Sequence, residues 1–217
     1  MRIAVPLLCL LLGLPATARA CDTALVLTID VSNSVDPSEY RLQIDGLAAA
    51  LRDVEIVDAM VRGQVAIAVV QWSGEDRQHL SIPWQQVRIP VDAAALASRA
   101  ERMERAFVLS DTAPAEAIRF SLDLFEQGPD CRRKVIDISG DGTPNGGGDV
   151  RKARRDAEDA GVTINAIAIE SMGLSITGFY RNAVITRDGF VMTARTHRDY
   201  PNAIRAKILR EISKVIG

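Results

Sequence analysis

The chain has 217 residues, 47% hydrophobic and 25% charged, with 15 glycines and 9 prolines. That is the composition of an ordinary globular domain, and it excludes a disordered chain, a collagen-like repeat and a disulfide-dense miniprotein. A formal net charge of −2 and an aromatic content of 5% leave neither the basic footprint of a nucleic-acid binder nor a stacking platform.

Arg2, the apolar run from Ile3 to Leu14 and the small-residue pattern Ala18-Arg19-Ala20 predict a secretory signal cleaved after residue 20. Its apolar run is too short to span a bilayer, and no later stretch approaches that length. The expected mature chain, residues 21–217, is a single exported domain, periplasmic or secreted. Cys21 would then come first. Arg19 fits a lipoprotein signal badly, so lipid anchoring at Cys21 is the weaker reading. Removing Arg2 and Arg19 takes the basic count from 26 to 24 against 28 acidic residues, a net charge of −4. Two cysteines remain, Cys21 and Cys131, an even number in an oxidising compartment.

Within that chain, Ala24 to Ile29 is an apolar run of strand length. Asp36-Pro37-Ser38-Glu39 combines an N-cap, a proline at the first helical position and a capping-box glutamate. Tyr40, Ile44, Leu47 and Leu51 follow at helical spacing. Gln64 to Trp72 predicts a second strand and His79 to Trp84 a third. The short polar link Ser73–Asp76 between them makes an antiparallel hairpin. Helices are expected over Asp92–Met103 and Pro114–Phe125, and a fourth strand over Lys134–Ser139. A charged helix spans Asp149–Ala160 before a C-cap at Gly161. Val162–Ile169 and Phe190–Thr193 are the fifth and sixth strands. Asp199 opens a last helix with Ile204, Ile208, Ile212 and Val215 facing inward. Strands alternating with helices predict an α/β, doubly wound, mostly parallel six-stranded sheet with one antiparallel edge strand and helices on both faces.

Ligands of open α/β sheets lie at the carboxyl ends of the strands. There the chain carries Asp30-Val31-Ser32-Asn33-Ser34, then Ser110-Asp111-Thr112 before a helix, then Gly140-Asp141-Gly142-Thr143. The first resembles the Asp-x-Ser-x-Ser signature of von Willebrand factor type A domains, and the other two resemble the remaining pieces of that family's metal-ion-dependent adhesion site. The resemblance runs in element order over nearly the whole mature chain. From Asp137 to Leu209 it extends to uncharacterised exported bacterial proteins carrying such a domain. It implies a Rossmann-like von Willebrand type A fold in which Asp30, Ser32, Ser34, Thr112 and Asp141 hold a divalent cation. Ser32 and Ser34 would bind through hydroxyls, with Thr112 as the threonine ligand. Asp30 and Asp141 would act mainly through water or by bracing the hydroxyls. The expected ion is Mg²⁺, with Mn²⁺ or Ca²⁺ as substitutes, since hard cations take oxygen donors. Neutral hydroxyls leave such an ion electrophilic, suited to an Asp or Glu side chain from a partner protein. Two positions depart from the pattern: Ala115 stands where glycine is frequent, and Gly140 where a threonine would add an outer hydroxyl.

The same topology makes the first and fourth strands parallel neighbours, and so implies a Cys21–Cys131 disulfide at the end opposite the site. A rival function is a phosphatase-like hydrolase using Asp30, because Gly140–Asn145 resembles a haloacid dehalogenase loop. Ser32, however, stands where such enzymes place their second aspartate. A metal-free scaffold is a third reading, in which Asp30, Ser32 and Ser34 simply cap the first helix. Asp137 is expected to be buried in its strand with Asn165 as its hydrogen-bond partner. His79 and His197 are expected to face solvent, and Arg151, Lys152, Arg154 and Arg155 to form a solvated helix face. Gly146-Gly147-Gly148-Asp149 resembles one copy of a calcium-binding glycine repeat and is expected to be a flexible loop.

Overall fold

The computed structural model describes residues 20–170 and 175–213. All but the last residue of the expected signal, and Val215 of the last helix, lie outside the described residues.

β1 (Cys21–Asp30) leads through the first motif into α1 (Pro37–Arg52) and α2 (Val54–Gly63). β2 (Ala66–Trp72) and β3 (Gln78–Gln86) follow, then α3 (Pro90–Glu101), α4 (Pro114–Glu126), β4 (Cys131–Gly140), α5 (Val150–Asp159) and β5 (Val162–Ile169). The chain closes with α6 (Ile176–Phe179), a π-helical turn (Tyr180–Val184), β6 (Val191–Ala194), a 3₁₀ turn (His197–Asp199) and α7 (Tyr200–Ser213). The six strands form one sheet in the order β3-β2-β1-β4-β5-β6. β3 is antiparallel to β2 and every other pairing is parallel. This is the doubly wound sheet with one antiparallel edge that the alternation of elements predicts.

The central strands are buried on both sides, so alternate residues serve two cores. Leu25, Leu27 and Ile29 of β1 join Ile67, Val69, Val135 and Ile167 under α1, α2, α3 and α7. Val26, Val70, Ile136, Ile138 and Ile164 pack under α4, α5 and the segment Ile176–Val184.

α1 starts as its sequence dictates. Asp36 Oδ1 accepts from Ser38 N and Glu39 N, while Glu39 Oε2 accepts from Asp36 N at 2.9 Å. Tyr40, Ile44, Leu47 and Leu51 are buried. α2 is an element that the hydrophobic pattern does not announce. Asp53 follows α1 and caps α2, accepting from Glu55 N and Ile56 N, so no loop separates the two helices. Gln64, at φ +47°, is the left-handed C-cap of α2, so the strand expected from Gln64 begins at Ala66. α3 begins at Pro90 rather than Asp92. The Asp92 carboxylate accepts from Arg88 N and Ile89 N from inside the first turn. Asp199 ends the 3₁₀ turn, and α7 starts one residue later.

Cys21 and Cys131 are register partners at the entrance to β1 and β4, and they are disulfide-bonded with Cα atoms 4.5 Å apart.

Candidate functional site

The carboxyl ends of β1 and β4 bring the first and third motifs together. Asp30 ends β1 fully buried, and its Oδ1 accepts from Ser32 N at 2.8 Å. The Ser32 and Ser34 hydroxyls lie 3.1 Å apart. Ser34 Oγ donates to Asp141 Oδ1 at 2.5 Å, across 107 residues of sequence. Thr112 is buried on the second motif. Its N–H donates to Asn145 Oδ1 at 2.7 Å, and Asn145 N returns a bond to its carbonyl at 3.1 Å. A Cβ at Gly142 would sit 3.6 Å from the Thr112 side chain, so these two residues face each other. Asp30, Ser32, Ser34, Thr112 and Asp141 thus occupy one rim of the sheet. Caps play no part in holding Asp30 and the serines there, because Asp36 caps α1.

The backbone around them is tied down from several elements. Asn33 N donates to Ser110 O, joining the first two motifs at 2.9 Å. Arg105 Nη2 donates to the carbonyls of Val31 and Ser32, each at 2.9 Å. Ala113 N donates to Ser73 O at 2.8 Å. These bonds tie the first two motif loops to each other and to neighbouring segments.

Two carboxylates buried side by side repel each other. Burial, and secondly the charge of Asp141, push the Asp30 carboxyl up to about 7, against hydrogen bonding from Ser32 and from the Asp141 backbone N–H, which favours its ionised form. A cation placed among these oxygens reverses that balance. Among the described residues, Asp30 Oδ2 is buried without a hydrogen-bond partner. Buried carboxylate oxygens rarely stay unpaired unless an ion or water completes them. The donors are carboxylates and hydroxyls, the hard oxygens that Mg²⁺, Mn²⁺ and Ca²⁺ prefer. On both counts the residues fit such an ion. No three His, Cys, Asp or Glu side chains form a metal-holding group among the described residues.

Three further side chains stand near this rim, and one of them, His197, differs from its sequence assignment. His197 is 3% exposed rather than solvent-facing. Its Nε2 lies 3.8 Å from Asp141 Oδ2 and its Nδ1 lies 3.0 Å from Glu39 Oε1, close contacts without hydrogen-bond alignment. The histidine therefore stands between α1 and the third motif, and nothing in the local sequence around it signals this. Glu39, legible as a capping residue, also reaches the rim. Tyr180 is fully buried, and burial, then Asp30 and Asp141, hold its phenol well above the usual range. His79 is exposed, as expected. The glycine run is a loop, from which Gly148 N donates to Glu116 Oε1 before Asp149 caps α5.

This sheet order, antiparallel edge and rim define a von Willebrand factor type A fold, and solved structures share it. Proximal thread matrix protein 1 from the mussel byssus is 20% identical, with 89% of this chain and 49% of that one covered and a TM-score of 0.65. A form of that protein is described as having a zinc-occupied metal-ion-dependent adhesion site; it is 18% identical, covering 92% and 48% of the two chains, with a TM-score of 0.63. The von Willebrand factor domain of the type V pili tip protein Mfa5 from Porphyromonas gingivalis is 11% identical, covering 92% and 98%, with a TM-score of 0.65. The chain spans about half the length of the mussel protein. It belongs to the family described as "Protein of unknown function (DUF1194)", which it matches over residues 20–216. No curated protein matches it by sequence.

Proposed function

We propose that this chain is an exported, divalent-cation-dependent protein-binding module, with residues 1–20 as its signal and residues 21–217 as one domain. The observation that carries this reading is the Ser34–Asp141 hydrogen bond beside the unpartnered Asp30 Oδ2. They support it by bringing hydroxyl and carboxylate oxygens of two distant motifs to the same rim. Ser32, Ser34 and Thr112 would hold the ion, with Asp30 and Asp141 bracing them. When bound, the ion offers an electrophilic position to an Asp or Glu side chain of a partner. Mg²⁺ suits this arrangement, and Mn²⁺ or Ca²⁺ could replace it. Relatives in fold that are adhesion and pilus proteins support a binding role rather than an enzymatic one. So does Ser32, which stands where a phosphatase would need a second carboxylate. Among the described residues no helix is long and apolar enough to cross a membrane.

The rim also carries a surface suited to protein contact. Leu109 is 85% exposed and Val108 61% exposed, immediately before the second motif. Leu109 sits at φ +51°, a left-handed conformation that a leucine adopts only at a cost. Asparagine tolerates that conformation. Leu109→Asn is therefore expected to leave cation binding and stability intact while reducing metal-dependent pull-down of a partner from the exported fraction.

Calorimetric titration tests the site itself. Wild type is expected to bind Mn²⁺ or Mg²⁺ at one site, and Ser34→Ala to bind at least about tenfold more weakly. Absence of binding by wild type overturns the proposal. Turnover of a phosphate ester, abolished by Asp30→Asn, would replace it with a hydrolase.

A further inference from the structure

Gly140 is the last residue of β4, beside Asp141, and its side-chain space is already filled. A Cβ there would lie 2.9 Å from Asp30 Oδ2 and 3.4 Å from the Trp72 ring, and it would overlap the Tyr180 hydroxyl. The phenol thus reaches, from a different element, the place where a side chain at position 140 would stand. Tyr180 opens the π-helical turn Tyr180–Val184. Such turns are rare and often occur at functional sites, because the extra residue per turn re-aims a side chain. The ring is fully buried and makes an edge-on contact with Phe179, at 5.5 Å between centroids.

Packing alone would be served equally well by phenylalanine. A buried phenolic hydroxyl normally has a hydrogen-bond partner, since leaving it unpaired is costly. Among the described residues the Tyr180 hydroxyl has none, and neither does Asp30 Oδ2, although both converge on the space at Gly140. Two unpaired polar atoms, one a donor and one an acceptor, therefore face one small space at the edge of the cation site.

We infer that Tyr180 is a positioning residue of this site, its hydroxyl entering the space left by Gly140 to hold the Asp30 carboxylate when a cation is bound. The inference rests on the proposed cation site. It explains the departure at position 140: the outer hydroxyl is supplied across space by Tyr180, and a glycine is required to admit it. It also ties the turn after α6 to occupancy of the rim.

Mg²⁺ has no absorbance of its own, so a near-ultraviolet difference spectrum on adding Mg²⁺ reports the protein's aromatic groups. Wild type is expected to show a tyrosine component, with Mg²⁺ affinity measured by calorimetry. Tyr180→Phe, which removes one oxygen, is expected to lose that component and to weaken Mg²⁺ binding about tenfold or more, with its thermal midpoint in the absence of Mg²⁺ unchanged or raised. Gly140→Ala, which crowds the phenol, should weaken binding similarly. The double variant Gly140→Ser with Tyr180→Phe, which restores a hydroxyl from position 140, should recover part of the affinity. If wild type binds Mg²⁺ and Tyr180→Phe matches it in affinity and in difference spectrum, the role of Tyr180 is overturned while the cation site stands. If wild type binds no Mg²⁺ or Mn²⁺, the cation site falls and this inference with it.

Discussion

Lys207→Met is expected to cost about 3–5 kcal/mol of folding stability, measured by urea denaturation at neutral pH. Lys207 lies on α7, fully buried, with Nζ 2.6 Å from Asp137 Oδ1 and 2.7 Å from Glu211 Oε1. One ammonium therefore serves two buried carboxylates, one on β4 and one a helical turn further along α7. Asn165 Nδ2 donates to the same Glu211 oxygen at 2.8 Å, and its own Oδ1 accepts from Phe190 N. Methionine keeps the length and the apolar stem but removes the charge. Asp137 and Glu211 are then left desolvated without a counter-ion, which is why breaking such a pair costs more than the pair itself contributes.

The same cluster gives stability a pH dependence. Burial is the largest influence on Glu211 and pushes its carboxyl up from the ordinary 4.5 to about 7; Lys207 opposes this and Asp137 adds to it. Asp137 is raised as well, for the same first reason. A carboxyl raised in the native state holds its proton more tightly folded than unfolded, so the proton stabilises the fold. The contribution from Glu211 is full below about pH 4.5 and is lost as pH rises through about 7. Glu211→Gln can keep the Asn165 contact and is expected to flatten this decline. Urea midpoints of wild type and variant at pH 5 and pH 8 measure it.

Cys131→Ser is expected to lower stability by about 2–5 kcal/mol, again by urea denaturation under non-reducing conditions. The bond closes a separation of 110 residues. Opening so long a loop returns much conformational freedom to the unfolded chain. Both sulfurs are buried, and both strands keep their hydrogen bonds to neighbours, so the variant should still fold. Reduction of wild type with dithiothreitol should shift its urea midpoint towards that of the variant.

Local pattern made much of this architecture legible. The capping box at Asp36–Glu39, the β2–β3 hairpin and the strand-end motifs each depend on neighbours a few residues apart. The disulfide followed from the resemblance, through the adjacency of β1 and β4. What escaped depends on distant partners. Asp137 and Asn165 do pair in register, but Asp137 finds its ion partner on α7 and Asn165 turns to Glu211. The inward stripe Ile204, Ile208, Ile212 hides the fact that Lys207 and Glu211, one turn apart, are buried beside it. A charged pair at helical spacing, together with an aspartate in a central strand, is the signal that would have found them. α2 escaped because Asp53 leaves no loop to mark its start. The burial of His197 and Tyr180 depends on how the 3₁₀ turn and the π-helical turn meet the rim.

The parallel pairing of β1 with β4 gives the molecule two poles. The motif loops leave from the carboxyl ends of these strands, and Cys21 and Cys131 mark the other end. The last described turn of α7 returns to that second pole, where Arg133 Nη1 donates to the Glu211 carbonyl and also contacts Thr23 Oγ1. The described chain therefore enters and leaves on the side facing away from the rim. Held at Cys21 or at the last described turn of α7, the domain would present the exposed Val108 and Leu109 on the opposite side. A pull between that tether and a partner on the rim would run lengthwise along β1 and β4, loading their shared hydrogen bonds in shear.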